Sequence, residues 1–292
     1  MRPLGGAGPL SLVVTARPPF PFAARCRDFS TGCRPFPLIN AAPTKFHFPL
    51  SQHIPAMISD NEFVDLTYTS RVPYGIIDVR GRDFDSALLV AGKAIALNWM
   101  SDPVGHLGQY LVRAGRTNYE SKLAALRHTL EGNLCGDVPL SSQLHAFLEL
   151  LVPGQYLIQY HSEFAPFKCL EYKANLDPTV YDHFYPSRDP LLVFTQPSDT
   201  LNQDRVSHYV KTIQSGQRPI AITARVDLGV CDFVLDGHHK LQGYKTTRIA
   251  PAVIRICRIN APRLSAASFE KYFRVKHPMS SHYRQVKTKY DA

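Results

Sequence analysis

Asp236-Gly237-His238-His239-Lys240 places an acid, a glycine, two imidazoles and an amine in five consecutive positions. Phe233, Val234 and Leu235 before them read as the end of a buried strand. Asp236 is expected to cap a helix start, and Gly237 to permit a tight turn and close approach of a ligand. His238, His239 and Lys240 then occupy the first helical turn, where free backbone N–H groups and the macrodipole attract anions. Cationic side chains at a helix start oppose that dipole. An external anion such as a phosphate, seated between them, offsets the cost. The same residues also read as a plain strand-turn-helix with an Asp cap and solvated polar side chains.

The flanking elements give the motif a setting. Val206, Tyr209, Val210 and Ile213 recur at helical spacing, and Ser215-Gly216 ends that helix. Pro219-Ile220-Ala221-Ile222-Thr223 reads as a strand with proline at its first position. The strand ending at Leu235 follows, then a helix from Gly237 to about Thr246. Ala252 to Cys257 supplies a further strand, and Pro190 to Phe194 an earlier one.

This order, carried by YVKTIQSGQRPIAI, FVLDGHHKLQGYK and APAVIRI, resembles the ParB N-terminal/sulfiredoxin-like superfamily over residues 188–260. The resemblance implies that the strand-to-helix turn binds nucleotide phosphates. Sulfiredoxins carry Gly-Cys-His-Arg there, with the Cys as redox nucleophile. Here His238 stands at the Cys position, so that redox reaction is lost. His239 matches the motif histidine, and Lys240 replaces its Arg, keeping charge without the bidentate fork. ParB partition proteins carry Gly-Glu-Arg-Arg and use CTP, and this chain has neither the Glu nor the two Arg. The Asp-Gly-His-His-basic form is similar to that of poorly characterised members of the superfamily and of its free serine kinases.

The resemblance implies ATP or ADP with Mg²⁺ as cofactor. Gly237, His238, His239 and Lys240 would bind the phosphates. Asp236 and His239 are the candidate catalytic residues, Asp236 as Mg²⁺ ligand or base. Three functions stay open: phosphoryl transfer to a small molecule, a DNA-associated nucleotide-binding regulator, and a binding module without catalysis. An ionised Asp236 cap would compete with phosphate for the same amides.

Composition bounds the chain. Its 292 residues, 45% hydrophobic, fit one large or two ordinary soluble domains. No apolar run approaches the roughly 18–20 residues of a membrane helix. Six cysteines without a Cys-x-x-Cys pair argue for a reducing compartment and against structural zinc. The net charge of +9 sits in the termini: residues 1–56 carry six Lys/Arg and one Asp, and residues 265–292 six Lys/Arg and two acids. Ten of the 23 prolines fall in residues 1–56. That leader is expected to be disordered, as translated upstream sequence before Met57, a disordered arm or an organellar transit peptide. The expected location is cytoplasmic, or organellar if the leader is a transit peptide.

The expected architecture is α+β. A disordered leader (1–56) precedes an α+β region of unknown family (57–187). A ParB/sulfiredoxin-like domain follows (188–260), with a small mixed sheet and flanking helices, and then a basic C-terminal tail with a short helix (261–292). In the second region, Phe63–Thr69 and Tyr74–Val79 read as strands and 84–100 as a helix. Asn118–Leu130 and Leu140–Leu151 read as helices, the latter capped by Ser141 or Ser142. Residues 155–160 and 167–172 read as a hairpin, and 175–189 as a connector.

Other constellations are weaker. Asp78 to Asp83 packs charges around Gly81 and reads as a solvated turn or a second anion site. His161 and Glu163 suit a metal less well than solvent. His106 between two glycines has no phosphate-loop ending. Ser207-His208 has no nucleophile-elbow pattern. Phe269, Tyr272 and Phe273 are expected to dock a short helix. The basic and aromatic residues of the tail suit nucleic acid as a partner, beside the small-molecule or nucleotide ligand of the motif.

Overall fold

In a computed structural model of the chain, the described residues are 64–82, 85–100, 107–112, 123–164, 167–173, 179–184 and 190–272. The leader 1–56, the start of the expected Asn118 helix, His106, and the tail beyond 272 lie outside them.

Two sheets and two longer helices carry the architecture, which is α+β. The first sheet has seven strands: β1 (Val64–Ser70), β6 (Gly154–His161), β7 (Lys168–Leu170), β9 (Leu191–Val193), β10 (Ile220–Val226), β11 (Cys231–Asp236) and β12 (Ala252–Ile259). Their order is β1-β6-β12-β10-β11-β9-β7. The second has five: β2 (Ile77–Arg82), β3 (Asp85–Val90), β4 (Lys93–Met100), β5 (Leu107–Val112) and β8 (Thr179–Phe184), in the order β2-β3-β4-β5-β8. The first sheet is mixed: β10 runs parallel to β12 and antiparallel to β11, which is parallel to β9. The expected boundary at 187/188 falls inside this sheet, because β6 pairs with β12 and β7 with β9.

The larger core lies between the sheets. Ile220, Ile222 and Ala224 of β10 meet Val79, Leu88 and Ala96, together with Leu144, Phe147 and Leu151. On the opposite face of the first sheet, Ala221, Val234 and Val253 pack on Leu201 and Leu241. Leu241 lies on α5 (His238–Thr247), which forms a layer with α4 (Gln203–Gln214), and Leu201 just precedes α4. Three short helices precede it: α1 (Arg127–Leu130), α2 (Leu140–Gln143) and α3 (His145–Leu148). Helix α6 (Ala266–Tyr272) follows β12 and buries Tyr272.

Several sequence expectations are corrected. Residues 84–100 are not a helix. Asp85–Val90 and Lys93–Met100 are antiparallel strands joined at Ala91 and Gly92. Ala91 and Gly92 hold consecutive positive φ of 49° and 74°, as a tight hairpin turn requires. All of Asp85–Val90 is buried, so the strand shows no period-two alternation. Its apolar run then fits helical spacing by chance.

The expected helix 140–151 divides at Leu144, and Pro139 precedes it in place of a serine cap. Of Asn118–Leu130, the described residues are helical at Leu123-Ala124 and over α1, with a turn between them. Strands 154–161 and 168–170 form no hairpin: β6 pairs with β1 and β12, and β7 with β9. The expected connector 175–189 contains β8. Among the described residues no helix is long and apolar enough to cross a membrane.

Candidate functional site

The motif sits at the carboxyl end of β11. Gly237 is the N-cap of α5 at φ 95° and ψ 21°. A Cβ on Gly237 would lie 2.7 Å from the Ala221 Cβ. Both the left-handed backbone and the close packing on β10 therefore require glycine. The first intrahelical bond runs from Leu241 N–H to the Gly237 carbonyl at 2.8 Å. The amides of His238, His239 and Lys240 thus precede the helical ladder.

Asp236 does not cap this helix, since no side chain caps α5. Its Oδ2 lies 3.4 Å from Lys240 Nζ. A cap from the residue before a left-handed glycine would need the carboxylate turned toward the amides, and the buried ammonium holds it instead.

Lys240 is directed inward. It is 5% exposed, and its ammonium donates to the carbonyls of Leu130 and Ile220, each at 3.0 Å. With Asp236, these contacts use all three ammonium donors. The ring of Tyr209 stands 5.9 Å away. Lys240 is thus a buried tie between α1, β10 and α5. Its charge is neutralised by Asp236 and does not project from the helix start.

The two histidines hold one segment. His238 is buried, and its Nε2 accepts the Thr195 N–H at 3.1 Å. Thr195 Oγ1 donates to the Val234 carbonyl at 2.6 Å, which fixes the tautomer with the proton on His238 Nδ1. The Phe194 ring meets His238 edge-on at 5.2 Å. Burial pushes the His238 pKa down to about 4, against the pull of Asp236.

His239 is half-buried, and its Nε2 accepts the Asn202 N–H at 3.1 Å. Its pKa is also lowered, first by burial and then by the Arg205 charge, with Asp236 opposing. Both imidazoles are therefore neutral acceptors at neutral pH, and together they bind the two ends of the 195–202 segment to the start of α5.

Three residues that the sequence reading missed shape this end of the molecule. Thr195 and Asn202 supply the amides, and Arg205 the nearby charge. Asn202 is the N-cap of α4, its Oδ1 accepting the Arg205 N–H at 3.0 Å. Asn immediately before an amphipathic run is a readable cap signature. The His239–Asn202 bond joins the amino termini of α4 and α5, so two positive dipole ends converge beside Arg205.

The other constellations resolve differently. Asp78 is buried in β2, pairing with Arg80 Nε at 2.6 Å and with Arg258 Nη1. The charged stretch Asp78–Arg82 is thus a strand, and neither a solvated turn nor an open anion site. His161 packs edge-on against Phe164 at 5.3 Å, and burial pushes its pKa down to about 4. Among the described residues no group of three or more His, Cys, Asp or Glu is placed to hold a metal. Ser207 and His208 lie exposed on α4.

A second buried charge cluster joins β10, β11 and β12. Asp232 accepts from Arg255 Nε at 2.8 Å and Nη2 at 3.1 Å, with Arg225 Nη1 at 3.7 Å. No family model, curated protein or solved structure matches this chain.

Proposed function

We propose that the chain is a ParB/sulfiredoxin-like protein that binds a nucleotide phosphate at the start of α5. The observation that carries this reading is the uncapped helix start: three amides, of His238, His239 and Lys240, precede the ladder, and Asp236 is turned away to Lys240. That removes the competition between an acidic cap and a phosphate for the same donors.

Contact to the anion falls to the amides, to the Nδ1–H that His239 presents while its Nε2 accepts from Asn202, and to Arg205 on the first turn of α4. Lys240 and His238 act indirectly, by fixing the backbone. ATP or ADP with Mg²⁺ is the ligand class that the sequence resemblance implies, and Asp236, partly exposed, is the motif carboxylate within the motif that could meet the metal. Its pairing with Lys240 favours binding over phosphoryl transfer.

The test is thermal shift and calorimetry on the full chain with ATP, ADP, CTP and GTP, with and without Mg²⁺. Arg205→Ala should remove a charge-assisted contact of about 1.5–3 kcal/mol, roughly 10- to 150-fold in affinity. It should leave stability within about 0.5 kcal/mol, as exposed substitutions do. If no nucleotide raises the melting temperature of the wild type, the strand-turn-helix is structural and the proposal fails.

A further inference from the structure

Between the two sheets lies a buried polar pair. Asn98 on β4 is 0% exposed, and neither its Oδ1 nor its Nδ2 makes a hydrogen bond. Directly opposite on β3 stands Ser86, 1% exposed, whose Oγ meets no nitrogen or oxygen partner. The site faces the first sheet: the buried Cys231 thiol at the start of β11 is a side-chain hydrogen-bonding neighbour of Ser86. On the other side of Asn98, Tyr110 of β5 occupies the paired position, fully buried.

Buried amides and hydroxyls in folded proteins are hydrogen-bonded to protein or to ordered water, because an unmet donor or acceptor forfeits its hydration. Asn98 offers both a donor and an acceptor, and Ser86 offers one group that can be either. Cβ atoms of residues facing each other across antiparallel strands are about 4.5–5.5 Å apart. One water making two hydrogen bonds of about 2.8 Å can bridge polar atoms of two such facing side chains, and a water needs two to four polar partners to stay. We propose that Asn98 and Ser86 bind an internal water molecule between the sheets, as a structural ligand of the β3–β4 pair. A charged ligand does not fit, since the pair carries no charge to meet one.

The test is water relaxation dispersion and water–protein cross-relaxation on the full chain at neutral pH. The expected result is a long-lived water in contact with the Asn98 side-chain amide protons. Asn98→Leu should remove one water equivalent from the dispersion amplitude, and Ser86→Ala should shorten its residence at least tenfold. If Asn98→Leu does not fold, the wild-type cross-peak and Ser86→Ala still decide the matter. No cross-peak at the Asn98 amide, an amplitude unchanged in Asn98→Leu, or a residence unchanged in Ser86→Ala would overturn the proposal. So would a native mass spectrum showing a bound small molecule that Asn98→Leu or Ser86→Ala releases.

Discussion

Lys240 Nζ donates to the Leu130 carbonyl at 3.0 Å, across 110 positions of sequence. The motif's most basic side chain is therefore a bolt in the interior. It closes the last turn of α1, holds the start of β10 through Ile220, and neutralises Asp236 in the same stroke. A residue chosen by sequence for its charge acts here through its position.

Removing that bolt should destabilise the fold and leave ligand charge complementarity untouched. Breaking a buried ion pair costs roughly 3–5 kcal/mol. Asp236 reaches solvent in part, so the expected loss for Lys240→Met is smaller, about 2–3 kcal/mol. Urea unfolding of Lys240→Met, Asp236→Asn and the double variant measures it. The double variant should cost less than the two singles added, because no unpaired charge is left behind. Strict additivity would mean the pair is not coupled.

The buried histidines set an acid limit on stability. His238 and His161 have folded pKa values near 4, against an ordinary value of 6.5. Below pH 6.5 the unfolded chain takes up protons that the folded chain refuses. Stability is thus complete above about pH 6.5 and declines as pH falls toward about 4. Protonating His238 also removes the acceptor for Thr195 N–H and frees one end of the 195–202 segment. Melting temperatures across pH 7.5 to 4.5 should show this decline. His238→Gln, which keeps an acceptor without titrating, should make it shallower. An equally steep decline in that variant would assign the effect to other groups.

Asp78 and Arg258 tie the two sheets together. Both side chains are 8% exposed. Arg258 also donates to the Val79 carbonyl at 3.3 Å and the Pro153 carbonyl at 3.0 Å. Arg258→Met should cost roughly 3–5 kcal/mol, since it leaves a buried carboxylate. Arg80→Ala removes only the half-exposed partner of that carboxylate and should cost about 1 kcal/mol or less. Urea midpoints of the two variants give the comparison, and near-equal losses would contradict the burial argument.

Legibility in the sequence followed the range of the interactions. Helices α4 and α5 and strands β10, β11 and β12 are readable because glycine placement and apolar period are local signals. Residues 85–100 were misread because burial on both faces erased the alternation that marks a strand. The turn at Ala91-Gly92 is set by backbone conformation, which apolar spacing does not encode. The site was half legible: Gly237 and the helix start follow from neighbours in sequence. The partners of His238, His239 and Lys240 lie at Thr195, Asn202 and Leu130, and no local pattern names them.

Gly237 offers a way to separate two costs at one position. Alanine there must hold a φ of 95° and place its methyl group 2.7 Å from the Ala221 Cβ. The left-handed backbone costs a residue with a Cβ about 1–2 kcal/mol. The contact adds to it, since carbon atoms pack at about 3.5–4.0 Å and the neighbours must yield. Gly237→Ala should therefore lose more than the backbone cost alone. Ala221→Gly in the same chain removes the opposing methyl and leaves φ unchanged. The double variant should recover the contact cost and retain the loss of about 1–2 kcal/mol from backbone strain, after correction for Ala221→Gly alone. Urea unfolding of the four proteins in the cycle reads both terms. Full recovery in the double variant would show that α5 can start without the left-handed residue, and no recovery would show that β10 does not press on the turn.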